Sequence, residues 1–248
     1  KMDLLTIVLI GFVVFLTGIS KSAFAGALGV FSVPLLMLQL PATKAIALML
    51  PILIIADILS VKSYWKKWDG NLFCSLVPGA VFGILLAHAV VNYVSLAQLN
   101  IAIAIICMVF ALRGLYLANS KIHALNNKSG GFLMSGLSGF SSSLVHAGGP
   151  PLMIYLSSMN LSPKTFIGTA AAFYATMNLL KLIGFSTLGL LNLSELSTAL
   201  LFAPLALIGN WVGLKIQNVL DLNVFMKVMN ALLLILGVWF IIRSGMLG

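Results

Sequence analysis

The 248 residues are 61% hydrophobic and only 8% charged, with 14 Lys and Arg against 5 Asp and Glu and a formal net charge of +9. A water-soluble domain needs about a quarter of its residues charged, so the composition excludes a soluble enzyme and describes an all-α polytopic membrane protein. The positive excess is the usual bias of cytoplasmic loops and lipid-adjacent ends toward Lys and Arg, with a smaller share in attracting anions; membrane lipid is the expected neighbour and nucleic acid is not an expected partner.

Apolar runs near membrane-crossing length, about 20 residues, recur along the chain. The first covers 3–17 and reads as a retained helix rather than a signal-peptide core. Gly18-Ile19-Ser20-Lys21-Ser22 is expected to interrupt it, and a second apolar piece follows over 23–40 with Gly26, Gly29 and Pro34 inside it. Pro41-Ala42-Thr43-Lys44 opens a helix over 45–64 that carries Pro51 and Asp57. Lys62, Lys66, Lys67 and Asp69 then alternate with Tyr64, Trp65 and Trp68, the mark of a membrane interface. Spans over 71–91 and 98–117 complete a first half, 1–118. The polar interval 119–130, with Lys121, His123 and Lys128, reads as a linker to a second half, 131–248.

The second half opens on a Gly- and Ser-rich segment, 131–144, too polar to face lipid and therefore expected against protein. His146-Ala147-Gly148-Gly149-Pro150-Pro151 cannot continue a helix, because proline lacks the N–H and clashes one turn back and glycine has the largest ordering cost. In a bilayer the freed backbone groups need a partner or a water-lined cavity. A short piece over 152–159 follows, then a helix over 165–185 with Asn178 and, near its end, Lys181; spans over 196–217 and 224–243 close the chain.

The halves repeat. Pro34 and Pro151, Pro41-Ala42-Thr43-Lys44 and Pro163-Lys164-Thr165-Phe166, and Pro78 with Gly83 and Pro204 with Gly209 recur at offsets of 117, 122 and 126 residues. Each half thus reads as a broken, re-entrant helix pair followed by three transmembrane helices, in one integral membrane domain. Matching discontinuous helices point to a transporter with its site near the midplane. If each broken pair returns to its own side the repeats are inverted; if it crosses as one long helix they are parallel. The inverted arrangement is favoured because 131–144 is short and polar for a crossing, and it puts both termini outside the cytoplasm.

Two stretches, the glycine-containing run ending Ser32-Val33-Pro34-Leu35-Leu36 and His146-x-Gly148-Gly149-Pro150-Pro151-Leu152-x-x-Tyr155-Leu156, together with the duplicated layout and length, resemble the TauE/SafE (TSUP) family of sulfite and organosulfonate exporters. The resemblance implies transport, by export, of sulfur-containing anions such as sulfite, thiosulfate, sulfoacetate or other sulfonates across a bacterial plasma membrane. It leaves the particular anion open.

A small oxyanion in a membrane needs donors without the full cost of fixed charge, and helix N-termini supply them. The candidate binding residues are Ser20, Lys21, Ser22, Gly26 and Gly29 around the first break. Around the second they are Ser141, Ser142, Ser143, His146, Gly148, Gly149, Pro150 and Tyr155. The expectation is that the breaks face each other across one anion. Each residue also has a packing reading: Ser and Gly mediate close helix contact, Lys21 can reach the interface, His146 can bond freed backbone, and Tyr155 can anchor. Asp57 and His146 are the proton-coupling candidates, although Asp57 could instead pair with Lys62. Asp57 and Asn178 fall at nearly matching depth, one residue out of register. Cys74 and Cys107 form no CxxC, the histidines lack ligand spacing, and no P-loop or HExxH occurs, so no metal, cofactor or enzymatic role is expected. A passive small-anion channel on the same breaks is the alternative. A homodimer stays open, with no residue pattern specifying it.

Overall fold

The computed structural model describes residues 3–91, 93–117, 126–159, 161–187, 189 and 193–216, with scattered positions between 227 and 242. Among the described residues the chain forms nine helices: α1 (Leu4–Ala23), α2 (Gly29–Leu36), α3 (Ala42–Ser63), α4 (Gly70–Val91), α5 (Leu96–Tyr116), α6 (Lys128–Val145), α7 (Gly149–Ser158), α8 (Pro163–Thr187) and α9 (Leu193–Ile216). Five are long and apolar enough to cross a membrane: α1, α3, α4, α8 and α9. Half of the expected final span over 224–243 lies outside the described residues, and the described positions there are helical; Lys121 and His123 of the expected linker also lie outside them.

Helix starts follow local chemistry. The Asp3 carboxylate accepts from the Thr6 amide at 3.0 Å to open α1, and Asn127 Oδ1 accepts from the Gly130 amide at 2.7 Å to open α6. Each satisfies one of the donors a helix start leaves without a partner. Asp69 does the same for α4 through the Leu72 amide, and Ser95 and Gln98 form a reciprocal box at the start of α5.

The expected interruption at 18–22 falls later. α1 runs through Gly18 to Ser22 without a break, because the Ser22 hydroxyl donates back to the Gly18 carbonyl at 3.0 Å and so sits within the helical ladder. The chain leaves the helix at Phe24, and the left-handed backbone is at Ala25 (φ 47°) and Gly26 (φ 76°).

Two helix pairs form the most extensive interfaces: α1 with α9, and α4 with α6. Both rest on glycine. A Cβ at Gly209 would lie 2.2 Å from the Phe15 carbonyl oxygen, and one at Gly83 would lie 2.0 Å from that of Gly136. Backbones can approach this closely only without side chains, the packing mode of helices that gain no hydrophobic drive from lipid. α3 packs against both α8 and α9, and α4 against α8. α3 is accordingly the most enclosed of the five spans, 67% buried against 28% for α4. The Gly- and Ser-rich α6 lies against protein as its composition requires, with Ser135 and Ser138 fully buried.

Candidate functional site

Where α3 passes α8, charged and polar groups meet in the protein interior. Lys21 of α1, Asp57 of α3, and Asn178 and Lys181 of α8 are each at most 5% exposed. Lys21 Nζ lies 2.6 Å from Asp57 Oδ1 and 4.4 Å from the centre of the Tyr174 ring, over its face. The other carboxylate oxygen, Oδ2, accepts a short hydrogen bond from the Asn178 amide. Asp57 therefore pairs with Lys21, not with Lys62 one turn along its own helix. An i,i+5 neighbour is off the helix face, whereas Lys21 arrives from the adjacent helix directly opposite.

Lys181 lies inside α8 and not at its end, 1% exposed. Its Nζ donates to the Ser142 carbonyl at 3.2 Å, the Ser142 hydroxyl at 2.8 Å and His146 Nδ1 at 2.9 Å. His146 Nε2 is 2.9 Å from the Ile46 carbonyl. A carbonyl can only accept, so Nε2 carries the hydrogen and Nδ1 offers its lone pair to the lysine; this fixes the neutral tautomer from its partners. His146 is held in the left-handed region (φ 56°) where it ends α6, which swings its ring off the α6 axis toward α3 and α8.

The two interruptions touch. A Cβ at Gly149 would lie 2.9 Å from the Gly26 carbonyl oxygen, and one at Gly29 would lie 3.6 Å from that of His146. Tyr174 bridges them, its hydroxyl 3.4 Å from the Gly149 carbonyl and its ring 2.8 Å from where a Gly26 Cβ would be. Pro150 occupies the first turn of α7, where a missing N–H costs nothing.

The serines are mostly turned to backbone. The Ser20 hydroxyl accepts from the Leu28 amide at 3.0 Å. Ser141 donates to the Leu137 and Ala147 carbonyls at 2.7 and 3.0 Å, Ser143 to Gly139 at 2.9 Å, and Ser138 to Gly148 at 2.6 Å. These hydroxyls hold the interruptions in shape. Of the three consecutive serines, Ser142 meets the charged cluster. Tyr155 packs with its hydroxyl against Gly131, 2.8 Å from where that residue's Cβ would be. Ser22 presents its carbonyl to the Tyr64 hydroxyl at 2.6 Å.

The sequence reading missed Tyr174, gave Asn178 only a matching depth, and put Lys181 at a helix end. One signal was available. Asp57 and Asn178 are 121 residues apart, and the same separation relates Lys21 to Ser142, Ser60 to Lys181 and Ala25 to His146. Geometry follows it. Ser60 Oγ donates to the Lys21 carbonyl at 3.0 Å, as Lys181 Nζ does to that of Ser142. The Gly26 amide reaches the Ser20 carbonyl at 2.9 Å, as that of Ala147 reaches Ser141 at 3.4 Å. Ala25 and His146 are two of the three non-glycine residues with positive φ among the described residues. On this spacing Asp57 and Asn178 correspond directly, where the 122-residue offset from Pro41 to Pro163 puts them one residue out.

An apolar cleft of about 450 Å³ between α3 and α8, walled by Ile54, Ile58, Val61 and Ala175, reaches Asp57 from the outer face. Two buried lysines, one of them paired with a carboxylate, lie among membrane-length helices, and the architecture is that of a multi-pass membrane protein. The family model for the sulfite exporter TauE/SafE matches residues 10–240. The chain belongs to that family, one of membrane transporters. Comparison with curated proteins and with solved structures returned no match.

Proposed function

We propose that the chain is a secondary transporter of small sulfur-containing anions, sulfite, thiosulfate, sulfoacetate or other organosulfonates, exporting them across a bacterial plasma membrane. One anion binds at the cluster of Lys21, Asp57, Lys181, Ser142 and His146, between the two interruptions. The observation that carries this reading is the presence of two buried lysines against a single buried carboxylate, beside the point where the interruptions meet. Buried charge of this kind is costly and is characteristic of substrate and ion pathways. Gly26, Gly29, Gly148, Gly149 and Pro150 keep the interruptions close enough to act together. The serines, including Ser20, Ser22, Ser141 and Ser143, and Tyr155 support that backbone. Asp57, whose protonation would release Lys21, and His146, whose Nδ1 faces Lys181, are the groups through which proton movement would couple.

The halves act as inverted repeats, with α1–α2 and α6–α7 as the interrupted pairs. Matching each element of the first half to its counterpart in the second turns the α1–α9 interface into α6–α4, and α3–α9 into α8–α4; both members of each exchanged pair are present. The α3–α8 contact maps onto itself, which suits an alternating-access site.

The test is thermal unfolding of the purified protein against sulfite, thiosulfate, sulfate, sulfoacetate, taurine, acetate and chloride. A ligand bound only by the folded state raises the melting temperature with concentration. Stabilisation by a sulfur anion, lost in Lys181→Met, is the expected result; no shift from any sulfur anion at millimolar concentration overturns the reading. Anion accumulation driven by a gradient in proteoliposomes separates a transporter from a passive channel.

A further inference from the structure

The charged groups at the proposed site do not balance. α1 contributes Lys21, α3 contributes Asp57, and α8 contributes Lys181 with the neutral Asn178 and the ring of Tyr174. α6 contributes only Ser142, and the interruption after it contributes His146, neutral by its partners. Lys21 is matched by Asp57, while Lys181 meets three acceptors of which none is charged. With Lys181 protonated, the cluster carries one positive charge more than its own groups match, in a place almost without solvent.

Resting on the transporter reading, we infer that the site is built for a monoanion, so that singly charged sulfonates such as methanesulfonate, and hydrogensulfite, are taken in preference to dianions such as sulfate, thiosulfate, sulfoacetate and sulfite itself. A monoanion beside Lys181 brings the enclosed cluster to neutrality. A dianion of the same size would leave one unmatched negative charge in the same enclosure, and buried net charge is what such a site cannot tolerate. The discrimination is between charge states, not sizes, and works by rejecting the wrong partner as much as by holding the right one. Asp57 sets it: by cancelling Lys21 it lowers the site from two surplus charges to one.

Methanesulfonate and sulfate test this, because both are tetrahedral sulfur oxyanions of similar size that differ by one charge, and neither changes protonation near neutral pH. Their affinities are measured by calorimetry or melting shift on the full-length purified protein. The wild type is expected to prefer methanesulfonate by about tenfold or more, a modest difference for one buried charge. Asp57→Asn, which keeps the side-chain shape, is expected to move that ratio about tenfold toward sulfate. Because Asp57→Asn leaves Lys21 without its counter-charge and can fold poorly, Lys21→Met with Asp57→Asn is the companion variant. It returns the surplus to one, and the preference for methanesulfonate is expected to return even though both affinities fall. A wild type that holds sulfate as tightly as methanesulfonate overturns the inference while leaving the anion-binding reading intact. A double variant that prefers sulfate does the same. If neither these anions nor the other sulfur anions bind the wild type, the transporter reading itself falls and this inference with it.

Discussion

The stretch around α1 and α3 and the stretch around α6 and α8, 121 residues further on, make similar backbone contacts and differ in charge. At the position occupied by Asp57 in the first half the second has Asn178; where the first has Lys21 the second has Ser142; where the first has Ser60 the second has Lys181. The backbone contacts made from these positions are nevertheless alike. The same substitution of amide for acid occurs at the helix starts, Asp3 opening α1 and Asn127 opening α6. Two stretches with like backbone contacts can thus concentrate charge unequally. The first half holds a closed ion pair, and the second holds a cation bound only to neutral partners.

Perturbing equivalent positions should separate shared scaffold from unequal chemistry. The largest effect is expected at the ion pair. Asp57→Ala abandons Lys21 in the interior and should cost about 3–5 kcal/mol, the scale for breaking one side of a buried pair. Asn178→Ala removes one hydrogen bond to the carboxylate and should cost about 1.5–3 kcal/mol. Thermal unfolding of the two purified variants compares them; equal losses would mean that the pair's charge contributes nothing beyond its hydrogen bond.

The glycine interfaces should behave alike in both halves. Gly209→Ala and Gly83→Ala each push a methyl group into a carbonyl oxygen and are expected to destabilise by about 1–3 kcal/mol. Gly136→Ala meets its nearest atom, the Gly79 oxygen, at 3.4 Å and should unfold within a degree or two of wild type. A marked difference between the first two would show that the α1–α9 and α4–α6 interfaces are not equivalent.

Smaller effects are expected at the two left-handed residues. Ala25→Gly relieves a conformation that costs an L-residue about 1–2 kcal/mol and should raise the melting temperature slightly. His146→Gly relieves the same strain but loses the bonds to Lys181 and Ile46, a loss of about 1–3 kcal/mol for the partners left behind. It should lower the melting temperature and abolish anion stabilisation. The smallest effect concerns the helix starts. The Thr6 hydrogen bonds hold the Asp3 carboxyl below its ordinary value. Its contribution is therefore present at neutral pH and lost as pH falls through that lowered value. Asp3→Asn should match wild type at neutral pH and show a weaker decline in acid, as Asn127 needs no charge for the same task.

Much of this plan was legible in the sequence, because membrane-length apolar runs and Gly-Pro clusters impose themselves locally. The residues missed share one property: their role depends on a partner far along the chain. Lys181 resembled an end-of-helix cation because sequence distance to the following polar turn is visible, whereas its approach to Ser142 and His146 is not. Asp57 had Lys62 close by in sequence, and Lys21 became its partner only through the packing of α1 beside α3. Ser20 and Ser22 looked like an interruption because polarity was taken as the breaker; in a helix a serine hydroxyl can return to the carbonyl one turn back, and the break needed the positive φ at Ala25 and Gly26.

The glycine-lined crossings bind the first helix of each half to a late helix of the other. α1 leaves the ribosome before its partner α9, which follows only after both interruptions and α8 have been made. Until then α1 stands in the bilayer with its close-packing face toward lipid, and Lys21 at its end can find Asp57 before it can find α9. Both partners of the ion pair, on α1 and α3, are thus in the chain well before the α1–α9 crossing can close. Neither half made alone could complete its own core, since each needs a helix that the other half supplies.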